Sequence, residues 1–313
     1  MTCHSCNSRC KKFGRHRNGL QRFRCKQCRK TFTEDHATPL GSMYARLDDA
    51  AKVIELLNEG CSISSAERLS EIHHSTILRL LVLVGDKCER LLATRIHNLP
   101  VSDVECDEIW GFVGKKQRKV QEGNDPTLGD SYCFIGLERT TKLILAWHLG
   151  KRSPGDTWVF IRKLEAATTG EFQVTTDGWA AYPEPIVAYM GEGISYSQLV
   201  KIYGPTPEQE HRYSPPQVID TIVRDVCGNP DPARICTSHI ERANLSVRMG
   251  MRRMTRLTNA FSKKWANLKA AYALWFAFYN FCRVHSTLRC TPAMAAGITD
   301  HIWSVGELVE AIV

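Results

Sequence analysis

The chain has 313 residues, 43% of them hydrophobic and 24% charged, an ordinary globular composition that argues against a fibrous or disordered protein. Its longest apolar run, AYALWFAFYNFC at 271–282, is too short to cross a bilayer and is interrupted by Asn280, so no membrane partner is expected. The polar, basic N-terminus lacks a secretory stretch, and thirteen cysteines without one point to a reducing, cytoplasmic setting in which thiols hold metal or pack in a core.

The net charge of +8 is unevenly placed: residues 1–30 hold ten Lys or Arg and no acid, which leaves the remainder at −2. A second basic block follows Glu241, where no further acid occurs through Lys269 while eight cations do. Charge gathered in two blocks suggests a polyanion docking at specific faces.

In chain order, residues 1–34 come first as a candidate zinc ribbon. CHSC at 3–6 and CKQC at 25–28 form CxxC-x18-CxxC, in which two turns each present two thiolates to one tetrahedral ion. Cys3, Cys6, Cys25 and Cys28 are thus expected to hold one structural Zn²⁺, with disulfides or free thiols the alternative. The stretch has almost no aliphatic core, so the metal would supply its folding energy. Its basic face with Phe13 and Phe23 suits DNA phosphates.

Residues 44–95 read as three helices with short turns, a helix-turn-helix. AAKVIELLNEG ends at Gly60, Ser64 with Glu67 predicts a capping box, and Ser75 is expected to cap a longer third helix. His74, Thr76 and Arg79 are its groove-facing candidates. A plain helical spacer is the competing reading.

From 101 to 300 the pattern alternates strands and helices, an α/β signature. Strands are expected at 103–113, 132–138, 142–148 and 172–176, with a helix at 155–168 before the last. Residues 204–234 hold six of the thirteen prolines and read as an inserted irregular segment with a short helix at 217–225. Helices near 238–256 and 262–284 follow, the second a core helix by its aromatic spacing. Residues 301–313 form a tail.

Three acids stand out. Alternation across DVECDEIWGFV puts Glu105 and Asp107 on one face and Cys106 and Glu108 on the other. Asp177 ends the strand FQVTT, where α/β sheets bind ligands, and Glu241 opens a later helix. Asp107, Asp177 and Glu241 could converge on two Mg²⁺ (or Mn²⁺) ions about 3.5–4 Å apart, the arrangement that cuts or joins a phosphodiester. Each also has an ordinary reading: Asp177-Gly178 as a turn, Ser238-x-x-Glu241 as a capping box, Glu108 as a solvent-facing residue or a companion of Asp107. On a helical wheel Asn244, Arg248 and Arg252 continue a polar stripe from Glu241, suited to a DNA backbone beyond the metal.

The pieces CHSC…CKQC with RKTF, CDEIWGFVGKKQ, TTDGWAAY and HIERANLSVR, with YNFCRVHSTLRCTPAMAAG near the end, resemble bacterial transposases of the insertion-sequence-one family, of the DDE group. The resemblance covers nearly the whole chain. It implies an RNase H-like mixed sheet flanked by helices, with Asp107, Asp177 and Glu241 as the DDE triad and Arg248 on the DNA backbone. It further implies that the ribbon and helix-turn-helix bind terminal inverted repeats, that 3′-hydroxyls at the element ends are joined to target DNA, and that the chain acts as a homo-oligomer on DNA. Two departures are a single continuous reading frame and a longer spacing from Asp177 to Glu241. A nuclease on the same fold without strand transfer, and a catalytically inactive zinc-ribbon regulator, are the alternative functions.

Overall fold

The structure is a computed structural model, and it describes all residues except 4, 5, 18, 35–39, 42, 44, 192, 206–216, 312 and 313. The chain forms two compact units, one over residues 1–44 and one over 45–312.

In the first unit three short strands, β1 (Cys10–Arg15), β2 (Gln21–Cys25) and β3 (Thr31–Thr33), form an antiparallel sheet in that order. Its few aromatic rings do the packing. Phe23 and Phe32, paired across β2 and β3, stack with centroids 6.1 Å apart. The guanidinium groups of Arg22 and Arg24 lie 5.6 and 5.2 Å from the ring of Phe13, which is itself exposed.

The second unit opens with α1 (Leu47–Asn58), α2 (Ile63–Ser70) and α3 (His74–Arg95). The caps differ from expectation. Ser62, in extended backbone, accepts the Ser65 N–H and starts α2, whereas Ser64 lies inside its first turn. Glu67 instead accepts from the His74 backbone N–H at 2.8 Å and pairs with the His74 ring at 3.0 Å. His73, not Ser75, occupies the N-cap of α3, its Nδ1 accepting the Ser75 N–H.

A mixed sheet follows. Its strands are β5 (Asp103–Val113), β6 (Gly129–Glu138), β7 (Ile144–Gly150), β9 (Phe172–Thr176), β10 (Ile194–Tyr203) and β11 (Val218–Cys227), ordered β11-β10-β9-β5-β6-β7. The two-residue strands β4 (Leu99–Pro100) and β8 (Thr168–Thr169) pair apart from it. β5 runs antiparallel to β6 over ten residue pairs and parallel to β9, and β9 runs parallel to β10. Parallel neighbours need crossovers; β7 reaches β9 through α4 (Pro154–Ala167), and β9 reaches β10 through α5 (Pro183–Met190).

The helix expected at 217–225 is strand β11. Six of its ten residues are β-branched, and side chains crowded at Cβ favour the extended pleat over the helix. Of the prolines in the 204–234 segment, Pro205, Pro230 and Pro232 flank this strand, while Pro207, Pro215 and Pro216 lie outside the described residues.

Helices cover both faces of the sheet. On one, Phe160 of α4 meets Phe134 of β6 at 5.6 Å and Leu164 fills the space above Gly136. On the other lie α6 (Ser238–Gly250) and α7 (Trp265–Phe281), with Phe276 5.6 Å from Trp147 of β7. As its aromatic spacing implied, α7 is core, buried from Ala270 through Phe281. Asn280, the polar interruption of that run, is fully buried and bonds both backbone groups of Ile144, at 3.1 and 3.0 Å. The short helices α8 (Pro292–Ala295) and α9 (Val305–Glu310) close the chain. α3 crosses α7 so closely that a Cβ at Gly85 would lie 2.4 Å from the Ala270 carbonyl oxygen, so the N-terminal helices share a core with the sheet. No described helix is long and apolar enough to cross a membrane.

Candidate active site

The site is built where β5, the end of β9 and the start of α6 meet. Glu105 of β5 is 2% exposed, and its Oε2 accepts the backbone N–H groups of His239 and Ile240, both at 3.0 Å, while Oε1 lies 2.7 Å from His239 Nδ1. Those N–H groups belong to the first turn of α6, which has no partners within its own helix and carries the positive end of the helix dipole. A carboxylate of the sheet therefore fixes the start of the helix that carries Glu241.

Two residues along β5, Asp107 points to the same helix. Asn244 Nδ2 donates to Asp107 Oδ2 at 2.7 Å, and the Glu108 backbone N–H donates to Oδ1 at 2.8 Å. Asp177 follows β9, with its Oδ1 held by the Trp179 N–H at 3.0 Å. The Gln198 side chain donates to the backbone carbonyls of Asp177 and Trp179, both at 3.1 Å, and so pins the turn against β10. Glu241 accepts from Thr237 Oγ1 at 2.7 Å and contacts Lys201 Nζ. Ser238 is the first helical residue and Thr237 the N-cap, so the Ser238–Glu241 capping box does not form: Glu241 sits one position too late to close it.

Asp107, Glu108 and Asp177 each place a carboxylate oxygen within 4.8 Å of the other two. The reading of Glu108 as solvent-facing fails, because its side chain is only 2% exposed. Glu241 is across the same space: it lines a cavity of about 420 Å³ together with Asp107, Asp177, Arg152 and Lys201.

Burial, then the neighbouring Asp177 and Glu241, raises the Asp107 carboxyl to about 6. Burial and Asp177 raise Glu108 to about 8, and burial raises Asp177. Like charges gathered out of water favour protons or a cation. Glu108 Oε1 and Asn244 Oδ1 are buried without a hydrogen-bond partner. Crowded carboxylates and unused buried oxygens fit a divalent metal with oxygen ligands.

In the first unit, the thiols of Cys3, Cys6, Cys25 and Cys28 lie within 4.8 Å of one another. The Cys3–Cys28 and Cys6–Cys25 sulfur separations are 3.5 and 3.4 Å, far beyond a disulfide bond of about 2.05 Å. They approach the edge of roughly 3.8 Å that a tetrahedron with metal–sulfur bonds of about 2.3 Å requires. The N–H groups of Gln27 and Cys28 point at Cys25 Sγ, both at 3.4 Å, and stabilise its thiolate. A hydrogen bond from the Ser8 backbone, the largest of several, holds Cys6 to about 6. The four thiols could hold one Zn²⁺.

No family model and no curated protein matches the chain. Among solved structures, the cryo-EM structure of a piggyBac transposase synaptic complex with hairpin DNA aligns at 11% identity and a TM-score of 0.39, covering 87% of this chain and 72% of that one. A Mos1 transposase paired-end complex with the left transposon end aligns at 13% identity and 0.20, covering 55% of this chain and 63% of that one. The Mos1 strand transfer complex aligns at 14% and 0.18, covering 48% and 55%.

The residues expected on DNA divide. Arg79 of α3 and Arg252 are exposed. Arg252 is not on the stripe, because α6 ends at Gly250 and Met251 turns extended before a 3-10 turn at Arg252–Met254. Arg248 is turned inward, donating to the Met254 carbonyl at 3.1 Å and the Trp110 carbonyl at 3.0 Å, and Asn244 is spent on Asp107.

Sequence reading missed Arg152 and Lys201, the cations among the acids. Arg152, at φ 56°, lies 3.1 Å from Glu108 and 3.5 Å from Asp177, with its guanidinium 4.5 Å from the Trp179 ring. Neither cation has a local signal, since their carboxylate partners are distant in the chain. Glu105 did have one: alternation had already placed it on the face of Asp107.

Proposed function

We propose that the chain is a DNA transposase of the insertion-sequence-one type, with Asp107, Asp177 and Glu241 as its metal-holding triad. The observation that carries this reading is the cluster of half-buried carboxylates on β5 and just after β9, their pKa values raised, facing Glu241 on α6. The RNase H-like core fits the three antiparallel strands β5, β6 and β7 extended by the parallel strands β9 and β10 reached through helices, with β11 added antiparallel at the edge. In this reading residues 1–34 are a zinc ribbon and 44–95 a helix-turn-helix, both for inverted-repeat DNA, and 101–300 form the catalytic domain, with 301–313 as a tail.

Asp107, Asp177 and Glu241 would hold two Mg²⁺ or Mn²⁺ ions, which when bound activate the attacking hydroxyl and stabilise the leaving oxygen. The chain's own residues do the rest. Asn244 and the Glu108 N–H fix the Asp107 carboxylate, and the Trp179 N–H fixes Asp177, so that each acid presents a defined oxygen. Glu108, deep beside them, favours its protonated form near neutrality. Lys201 and Arg152 balance the remaining negative charge and stand at the cavity wall, where a phosphate would enter. Joining two element ends requires at least two such sites, so the active form is a multimer on DNA.

The test is incubation of the purified chain and Mg²⁺ with duplexes carrying the inverted repeats that flank its gene. The reading expects both 3′-nicked ends and products joined to target DNA. Nicking without joining would make the chain a nuclease, and DNA binding with neither would make it a regulator.

A further inference from the structure

The loop after α7 carries RVHSTL, residues 283–288, which the carboxylate site does not use. It has a defined shape. The N–H groups of Cys282 and Arg283 both donate to the Phe278 carbonyl at 2.9 Å, and His285 N–H donates to the Cys290 carbonyl at 2.9 Å. The loop faces α6 on its far side. At about 100° per residue, His239, Arg242 and Ser246 project roughly 160°, 100° and 140° away from Glu241.

Between this loop and α6 lies a cavity of about 480 Å³ lined by Lys142, Arg242, Arg283 and His285, with Ser286 and Thr287 of the loop beside them. The Ser246 hydroxyl, also at its wall, is spent on the Arg242 carbonyl at 3.1 Å. Among the described residues, no carboxylate lines the cavity. The acids whose charge acts on Lys142 are Glu105 and Glu138, and both are engaged. Glu105 caps α6, while Glu138 accepts from the Thr141 backbone and hydroxyl. Arg242 and Arg283 have no carboxylate partner among the described residues, and Arg283 rests 5.5 Å from the Trp275 ring. His285 Nδ1 is buried without a hydrogen-bond partner. Burial lowers the His285 imidazole, and Lys142, Arg283 and Arg242 push it the same way. Cations gathered around one cavity without a counter-charge are complementary to an anion.

We propose that this cavity is a second nucleic-acid site, one that grips two neighbouring backbone phosphates of duplex DNA, one through Arg242 and one through Arg283, on the face of α6 remote from the carboxylates. The proposal rests on the transposase reading for its choice of DNA as the anion. Arg242 and Arg283 supply the charge, and the loop hydroxyls and His285 supply further donors. The contact reads no sequence, since phosphates are common to all duplexes.

The test is fluorescence anisotropy of the full chain on a labelled duplex across a salt series. Removing two phosphate contacts reduces the slope of log affinity against log salt by about 2. That reduction is expected for Arg242→Gln with Arg283→Gln, equally on an unrelated duplex, and for neither Arg242→Lys nor Arg283→Lys. Should the double variant fail to fold by circular dichroism, each single Gln variant is expected to reduce the slope by about 1. Arg162→Gln, on the opposite helical layer, leaves the slope unchanged. An unaltered slope in the Gln variants, or an equal fall with Arg162→Gln, overturns the proposal while the transposase reading stands. A wild-type chain that does not bind duplex at all overturns both.

Discussion

The two units of this chain reach order by different routes. In the first, the buried hydrophobic side chains among the described residues are Cys3, Cys25 and Leu40, and two of those are candidate metal ligands. In the second, α7 alone buries thirteen residues, and whole aromatic layers separate helix from sheet. The difference teaches that the first unit has too little apolar burial to hold itself together in the way the second does, and the proposed metal on its four thiols is what would replace it. Each route has its own vulnerability. The ribbon should fail with its metal, whereas the large unit should fail with its core.

Three experiments would break or sharpen that contrast. The largest effect is expected from Cys25→Ser with Cys28→Ser, or from a strong chelator. Structural zinc contributes roughly 10–16 kcal/mol in peptide ribbons, far more than three short strands could replace. Zinc analysis should find one ion in the wild type and none in the variant, and amide exchange should lose protection in residues 1–34 while α7 stays protected. Loss of α7 protection as well would mean that the two routes are not separate.

The next effect is the reverse case. Trp275 is fully buried and packs against Gly250, where an added Cβ would lie 2.1 Å from the indole. Trp275→Ala should cost the second unit about 3–5 kcal/mol in denaturant unfolding and leave zinc content unchanged. A loss below about 1 kcal/mol would show that α7 is not the centre of cohesion.

The third test is a pH dependence. Asp107 and Glu108 have folded-state values near 6 and 8, above their ordinary carboxylate values, so between about pH 4 and 8 the native state binds more protons than the unfolded one. Metal-free stability of the second unit should therefore fall as pH rises through that window. Asp107→Asn with Glu108→Gln should flatten the decline, and saturating Mg²⁺ should oppose it. A metal-free stability that rises from pH 5 to 8 would contradict the environment assigned to these acids.

Much of the fold was legible because period and composition agree. β5 and β9 fall where alternation placed them, 103–113 and 172–176, and α7 where the aromatic spacing did. The miss at 217–225 has a physical cause. Asp220 and Arg224 at helical spacing imitate a surface ion pair, whereas β-branching and pairing with β10 decide the conformation. The helical wheel ran past Gly250, although glycine is a weak helix former and α6 ends on it, with Trp275 packed against the same residue. In the site, each acid carried a local signal of strand or helix position. The partners that surround them did not: Asn244 meets Asp107 and Lys201 meets Glu241 only once the sheet is assembled.

The central claim is that Asp107 and Asp177 hold the metal that does the chemistry. The most direct measurement is joining of pre-cleaved inverted-repeat ends by Asp107→Asn and by Asp177→Asn, with duplex binding followed in the same preparations. The account predicts that both variants lose joining while binding DNA as the wild type does. Joining at the wild-type level by either variant would contradict it.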